Sequence, residues 1–137
     1  MRLHASCVAH AGKGILITGS AGSGKSSLAL ELLARGGWLV ADDQTLLEMS
    51  QGHLIARCAP NLRGKIEARG IGILAAEPVA WARVAVVVDM DVVETERIPP
   101  DRGIELAGVT LPLLHKVESA VFPAAILQYL KGGKVER

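Results

Sequence analysis

The stretch that decides the fold is GILITGSAGSGKSSLALELLARGGWLVADD, residues 14–43. Its first five residues, 14–18, form an apolar run flanked by glycines, which is typical of a buried strand in a parallel sheet. Residues 25–34 then place leucines at helical spacing, and the two glycines after Arg35 are a helix-ending signal. Residues 38–41 are a second apolar strand, and two acids follow it. This order of elements predicts an α/β domain with a mixed sheet.

The glycine-rich turn, GSAGSGKS at residues 19–26, matches the pattern G-x-x-x-x-G-K-[ST] of a phosphate-binding loop. Its glycines allow backbone N–H groups to converge on a phosphate, and the helix that follows adds the positive end of its dipole. We predict that Lys25 reaches the β and γ phosphates of a nucleotide and that Ser26 binds Mg²⁺. The predicted nucleotide-binding residues are Gly19, Ser20, Ala21, Gly22, Ser23, Gly24, Lys25 and Ser26.

The composition narrows the class of protein. A chain of 137 residues fits one domain, and half of its residues are apolar, which is enough for a core. Lys plus Arg number 15 and Asp plus Glu number 14, so the charge gives no case for nucleic acid or an anionic membrane as the main partner. Two cysteines do not make a disulfide scaffold. Without a signal peptide or an apolar run that could span a bilayer, we expect a cytoplasmic protein.

The remainder of the chain predicts further strands and one closing helix. The predicted strands are residues 6–11, 45–49, 53–57, 71–74 and 84–88. Residues 109–114 are predicted as an edge strand, because Pro112 cannot donate to a sheet ladder. Residues 61–70 and 94–107 are predicted as loops, and residues 119–130 as the last helix.

Phosphoryl transfer also needs an acidic group for the metal or the acceptor. Two predicted strands end in acids, one in Asp42 and Asp43 and the other in Asp89 and Asp91. We favour the first pair, because its strand follows the helix directly and sequential parallel strands are often neighbours. One carboxylate of such a pair could bind the cation while the other acts as a base. The competing interpretation is a solvated turn.

Three residues near the N-terminus, His4, Cys7 and His10, are spaced by three and suggest a metal site. On a strand, however, Cys7 points away from the two histidines, and no further ligands complete a tetrahedral site. His4 is therefore either a catalytic or phosphate-contacting residue or a surface histidine. The basic residues of the predicted loop 61–70 are either solvated or contact a phosphate or an acidic partner: Arg63, Lys65 and Arg69.

These residues resemble the catalytic domain of HPr kinase/phosphorylase. The resemblance rests on residues 19–26, on ALEL at 29–32, on Arg35-Gly36 and on LVADD at 39–43. A second block, IEARGIGI at 66–73, is similar to the family signature E-I-R-G-L-G-I. The resemblance covers most of the chain and implies that residues 1–137 form a single catalytic domain. The N-terminal domain of longer members is expected to be absent.

The resemblance implies an enzyme that uses ATP and Mg²⁺ to phosphorylate a serine of HPr, the phosphocarrier protein of the sugar phosphotransferase system. It also implies a phosphate-loop fold related to phosphoenolpyruvate carboxykinase, in a protein that is usually a homohexamer. Many members reverse the reaction with inorganic phosphate. The family's segment for that reversal, P-V-R-P-G-R-N, is missing here, where residues 114–119 are LHKVES, so the phosphorylase activity is in question.

The family's functional residues map onto this chain one by one. Asp43 matches the proton acceptor for the serine hydroxyl, and Arg97 matches the arginine of a D-R-L segment. The implied catalytic residues are Asp43, Asp42, His4, Lys25 and Arg97, and the implied metal ligands are Ser26 and Glu67. Ala68 departs from the signature, which has Ile there.

Two other functions stay open from the sequence. A small-molecule kinase would share the phosphate loop, although such enzymes usually need a lid that is not evident here. A non-catalytic nucleotide-binding regulator would also share it, although the presence of both acids and of Glu67 favours catalysis.

Overall fold

A computed structural model describes residues 1–135 of the chain. The strands are β1 (Arg2–Leu3), β2 (Ala5–His10), β3 (Lys13–Thr18), β4 (Trp38–Ala41), β5 (Thr45–Ser50), β6 (His53–Arg57), β7 (Lys65–Ala68), β8 (Gly72–Ala75), β9 (Trp81–Val93), β10 (Arg102–Leu106) and β11 (Val109–Lys116). The α-helices are α1 (Lys25–Ala34) and α2 (Phe122–Gly132), and a single 3-10 turn covers Pro60–Leu62.

The main sheet runs in the order β1-β5-β6-β9-β3-β2-β4. Strand β9 is long enough to pair with β6 at its start and with β11 near its end, while β3 lies parallel to it on the other side. The sheet is mixed, since β2 is antiparallel to both of its neighbours. The prediction of an α/β fold with a mixed sheet is therefore confirmed.

The prediction that the strand ending in Asp42 lies beside β3 is wrong, because β2 lies between β3 and β4. Strands β2 and β3 form a hairpin whose two turn residues, Ala11 and Gly12, both have positive φ. A two-residue turn of this kind pairs the flanking strands directly, so the local hairpin takes the place next to β3.

Three further predictions are wrong. Residues 61–70 are not all loop, since β7 pairs with β8 in a small sheet of its own, and residues 94–107 contain β10. In both strands buried or half-buried positions alternate with exposed ones, so charged residues on the open face hide the strand pattern. Strand β11 is not an edge strand, because it lies between β9 and β10. Its ladder with β9 starts at Leu113, one residue past Pro112.

The core lies on both faces of the main sheet. Side chains alternate along β3, so Ile15 and Ile17 pack under the helices while Leu16 packs on the opposite face. Cys7 is fully buried on that opposite face, and burial raises the pKa of its thiol to about 12. Within the described residues, neither helix has the length and apolar character needed to cross a bilayer.

Candidate active site

The glycine-rich loop, residues 19–26, connects β3 to α1 at one end of the sheet. Gly19, Gly22 and Gly24 have φ values of 145°, 81° and 103°, a region that side-chain-bearing residues rarely adopt. A Cβ on Gly19 would lie 2.5 Å from the Ser23 hydroxyl. The loop therefore requires glycine at these positions.

Two lysines supply positive charge at this loop. Lys25 is only 5% exposed, and its Nζ donates to the carbonyl oxygens of Gly19 and Ser20 at 2.9 and 3.1 Å. Lys116, at the end of β11, donates from Nζ to the Ser23 carbonyl oxygen at 3.3 Å. The sequence predicted Lys25 at this place and did not predict Lys116.

Asp91 of β9 braces the start of the loop. Its carboxylate accepts hydrogen bonds from the Ser20 backbone N–H at 2.9 and 3.0 Å and from the Ser20 hydroxyl at 2.8 Å. These donors, the backbone N–H above all, lower the pKa of Asp91. The contact arises because β9 is the parallel neighbour of β3, with Asp89 paired opposite Thr18.

Asp42 lies at the end of β4 with both carboxylate oxygens engaged. Oδ1 accepts hydrogen bonds from the Ser26 hydroxyl at 2.7 Å and from the Ser6 hydroxyl at 2.9 Å. Oδ2 accepts from the Glu67 backbone N–H at 3.1 Å. Asp42 thus connects the start of α1, strand β2 and the small β7–β8 sheet.

Asp43 follows in a left-handed conformation with φ of 65°, which aspartate tolerates better than most residues. Its backbone N–H donates to the Ser6 hydroxyl at 3.1 Å, and its Oδ1 lies 3.3 Å from His4 Nδ1. The Asp43 side chain is 59% exposed, so its carboxylate is open to solvent and to a ligand.

A cleft of about 630 Å³ brings most of the predicted residues together. The predicted catalytic and metal-binding residues that line it are His4, Lys25, Ser26, Asp42, Asp43 and Glu67. Lys65 and Arg69 line it as well, so two of the three basic residues of the predicted loop 61–70 face the cleft, whereas Arg63 does not line it. Arg97 does not line it: this side chain lies exposed in the segment between β9 and β10.

The donor set in the cleft fits Mg²⁺ bound together with a nucleotide. Ser26, Asp42 and Glu67 offer only oxygen ligands, which Mg²⁺ prefers. Among residues 1–135 no three His, Cys, Asp or Glu side chains are close enough to hold a metal by themselves, and this includes His4, Cys7 and His10. Mg²⁺ typically takes one or two protein ligands and completes its shell with waters and substrate phosphates, so a sparse set is appropriate.

Similarity to known proteins identifies the family of this chain. The family model of the HPr Serine kinase C-terminal domain matches residues 1–96. The chain belongs to this family. The resemblance found in the sequence is confirmed, and the match takes in every strand from β1 to β9, the glycine-rich loop and the acid pair.

Individual relatives agree with this assignment. The HPr kinase/phosphorylase of Neisseria meningitidis serogroup B is 53% identical over 62 residues, which are 44% of this chain and 19% of that protein. The HPr kinase/phosphorylase of Clostridium beijerinckii is 48% identical over 73 residues, 53% of this chain and 24% of that protein. The matched part of the chain therefore spans about a fifth to a quarter of the length of these curated relatives.

A solved structure matches nearly the whole chain. The Hpr(Ser) kinase/phosphatase from Coxiella burnetii is similar with a TM-score of 0.78 and 27% sequence identity, covering 96% of this chain and 94% of that chain. The structural likeness thus extends past residue 96 into the part that contains β10, β11 and α2.

Three polar residues of the site were missed or undervalued by the sequence reasoning: Ser6, Asp91 and Lys116. Each contacts the loop or the acid pair from a strand that is far away in sequence, by 36, 71 and 93 residues for the contacts given above. The available signal was Ser6 itself, a polar residue at the start of the predicted strand 6–11.

Proposed function

We propose that this domain transfers the γ-phosphoryl group of ATP, with Mg²⁺, to a serine hydroxyl of HPr. The observation that carries the proposal is that the two consecutive acids, Asp42 and Asp43, have different contacts and different exposure in one cleft. Asp42 is held by Ser26 at 2.7 Å at the start of α1, while Asp43 lies half-exposed in the same cleft.

The contacts of the two carboxylates support different roles. Both oxygens of Asp42 already accept hydrogen bonds, which fixes this side chain beside Ser26 as a metal ligand. The Asp43 carboxylate contacts His4 and is otherwise open to the cleft. We therefore assign Asp43 as the group that takes the proton from the serine hydroxyl as the new O–P bond forms and the bond to the ADP leaving group breaks.

The remaining residues provide charge and orientation. Mg²⁺, when bound, supplies charge neutralisation at the phosphates, and Ser26, Asp42 and Glu67 would hold it. Lys25 and the loop N–H groups stabilise negative charge on the transferred group. His4, 3.3 Å from Asp43, orients that carboxylate toward the acceptor.

A protein acceptor is favoured over a small metabolite by the mouth of the cleft. Ile73 lines the cleft and is 65% exposed, and Ile71, in the turn between β7 and β8, is 78% exposed. Exposed apolar side chains beside a polar cleft are typical of a surface that another protein covers.

Other features implied by the family also remain proposals. These are the kinship of the fold to phosphoenolpyruvate carboxykinase, a homohexameric assembly and a cytoplasmic location. We propose the kinase direction as the main activity, since residues 114–119, at the end of β11 and just beyond it, lack the arginines of the family's P-V-R-P-G-R-N segment.

The direct test combines the purified protein, ATP, Mg²⁺ and HPr of the same organism and follows the intact mass of HPr. We expect a gain of one phosphoryl group that maps to a serine and that is lost with the Lys25→Ala variant. ATP binding without turnover would instead support a nucleotide-binding regulator. ATP turnover that ignores HPr but responds to a small hydroxylated metabolite would support a small-molecule kinase.

A further inference from the structure

Ser6 is a fully buried polar residue within the apolar strand β2. Its hydroxyl donates to Asp42 Oδ1 at 2.9 Å and accepts from the Asp43 N–H at 3.1 Å. A serine hydroxyl has one donor and can also accept, so this oxygen uses both capacities on two consecutive acids. Because Ser6 itself is fully buried, both of these capacities are used on groups of the protein.

The position of β2 explains why the bridge starts there. Strand β2 separates β3, which leads into the glycine-rich loop, from β4, which leads into the acid pair. Ser6 is paired opposite Ile17 of β3, and the next residue, Cys7, is paired opposite Ala41 of β4. The Ser6 side chain therefore reaches the point where the two strands beside β2, namely β3 and β4, end.

The bridge acts on the two acids in different ways. For Asp42 it fixes the side chain, because Oδ1 accepts from Ser6 and Ser26 together. For Asp43 it fixes the backbone, which is left-handed at φ of 65° and thereby departs from the strand pattern. Consecutive residues of a regular strand point to opposite faces, so this bend is what lets both carboxylates line one cleft.

We propose that Ser6 is a positioning residue for phosphoryl transfer, and that its hydroxyl holds the Asp42 carboxylate and the Asp43 backbone in the arrangement the reaction uses. This inference rests on the proposed function. Ser6 acts through the two acids and does not itself line the cleft.

The test compares Ser6→Ala with a matched control, Thr45→Val. Thr45 is also fully buried, and its hydroxyl donates to the Ala5 carbonyl oxygen at 2.8 Å without contacting either acid. Both variants remove one buried hydroxyl from the same neighbourhood, so a general loss of stability affects both. Ser6→Cys, whose thiol is a weaker hydrogen-bonding group, is judged by the same criteria if Ser6→Ala does not fold.

The first readout is amide hydrogen exchange of the ¹⁵N-labelled protein. We expect the Asp43 amide to be protected in the wild type, to exchange at least about 10-fold faster in Ser6→Ala, and to keep its protection in Thr45→Val. An Asp43 amide that exchanges in the wild type as an unprotected group, or equally in wild type and Ser6→Ala, would overturn the bridge.

The second readout separates binding from turnover. In Ser6→Ala we expect kcat for HPr phosphorylation to fall about 10-fold and the Mg²⁺ dependence of ATP binding to weaken, while the affinity for ATP without metal is unchanged. A normal kcat and a normal Mg²⁺ dependence alongside a faster-exchanging Asp43 amide would overturn the positioning role. If the wild type does not phosphorylate HPr, the proposed function fails, and the exchange and Mg²⁺-binding data still decide the role of Ser6.

Discussion

The cleft at the end of β3 and β4 and the C-terminal layer formed by β10, β11 and α2 are built in opposite ways. At the cleft, single carboxylates hold several elements together: Asp42 accepts hydrogen bonds from residues of α1, β2 and β7, and Asp91 accepts three from Ser20 of the glycine-rich loop. In the C-terminal layer, Phe122 and Ile126 of α2 pack on the helix-covered face of the sheet together with Val86 of β9.

The C-terminal layer also contains an ion cluster of its own. Glu94, whose side chain is 8% exposed, accepts two hydrogen bonds from the Arg102 guanidinium at 3.0 and 2.9 Å, and His115 Nδ1 lies 3.8 Å away. None of these three residues lines the cleft. We therefore expect changes in the cleft to alter binding and turnover, and changes in the C-terminal layer to alter stability, except at Lys116, which contacts the glycine-rich loop.

We expect the largest effect from a substitution in the cleft that leaves the C-terminal layer unchanged. Replacing Lys25 by Ala removes the buried ammonium that the glycine-rich loop surrounds, so ATP affinity should fall about 100-fold or more. Titration calorimetry with MgATP measures this loss. Lys13→Ala, which removes an exposed ammonium at the far end of β3, is the control and should bind as the wild type. Equal affinities for wild type and Lys25→Ala would place the nucleotide elsewhere.

We expect the next largest effect from a substitution in the C-terminal layer that leaves the cleft unchanged. Ile126 is 1% exposed, and Ile126→Ala should lower the free energy of unfolding by about 2–5 kcal/mol because it leaves a cavity against the sheet. Ile98→Ala makes the same deletion at a site that is 51% exposed and should change it by less than about 0.5 kcal/mol. Urea titrations give both values. A changed KM for ATP in folded Ile126→Ala would show that the two regions are not independent.

We expect a smaller effect on the pH dependence of stability, and it comes from Glu94 in the C-terminal layer. The hydrogen bonds from Arg102 lower the pKa of Glu94 from its ordinary 4.5 to about 2. Because the pKa is lower in the folded state, ionised Glu94 stabilises the protein above pH 4.5, and this contribution is lost as the pH falls from about 4.5 to about 2.

Glu94→Gln should therefore melt below the wild type at pH 7, and the gap in Tm should shrink as the pH falls through that window. Melting curves at pH 7, 5 and 3 measure the gap. A gap of constant size would mean that the ionisation of Glu94 does not stabilise the fold.

Local sequence patterns were enough to predict most of the cleft. The loop at residues 19–26 and the acids Asp42 and Asp43 lie within a single run of 25 residues, so their motifs were enough to predict that they share a site. The sequence could not predict that β2 inserts between β3 and β4, because a hairpin and a βαβ unit are equally compatible with those strands. The bridge from Ser6 depends on that insertion.

The C-terminal layer was less predictable for a different reason. Strand β10 alternates half-buried and exposed residues and includes Arg102 and Glu105, so its composition resembles that of a loop. Its strand character comes from pairing with β11 across a turn at Ala107 and Gly108, both with positive φ. Tertiary pairing therefore overrides a weak local preference here.

The central claim is that Asp43, with its open carboxylate, takes the proton of the acceptor serine while Asp42 serves the metal. The measurement that tests it most directly is single-turnover transfer of phosphate from ATP to HPr by wild type, Asp43→Asn and Asp101→Asn, an exposed control whose side chain pairs with Lys134. We predict that Asp43→Asn transfers about 100-fold more slowly or worse while ATP affinity stays within about threefold, and that Asp101→Asn behaves as the wild type. Transfer by Asp43→Asn at the wild-type rate would contradict the account.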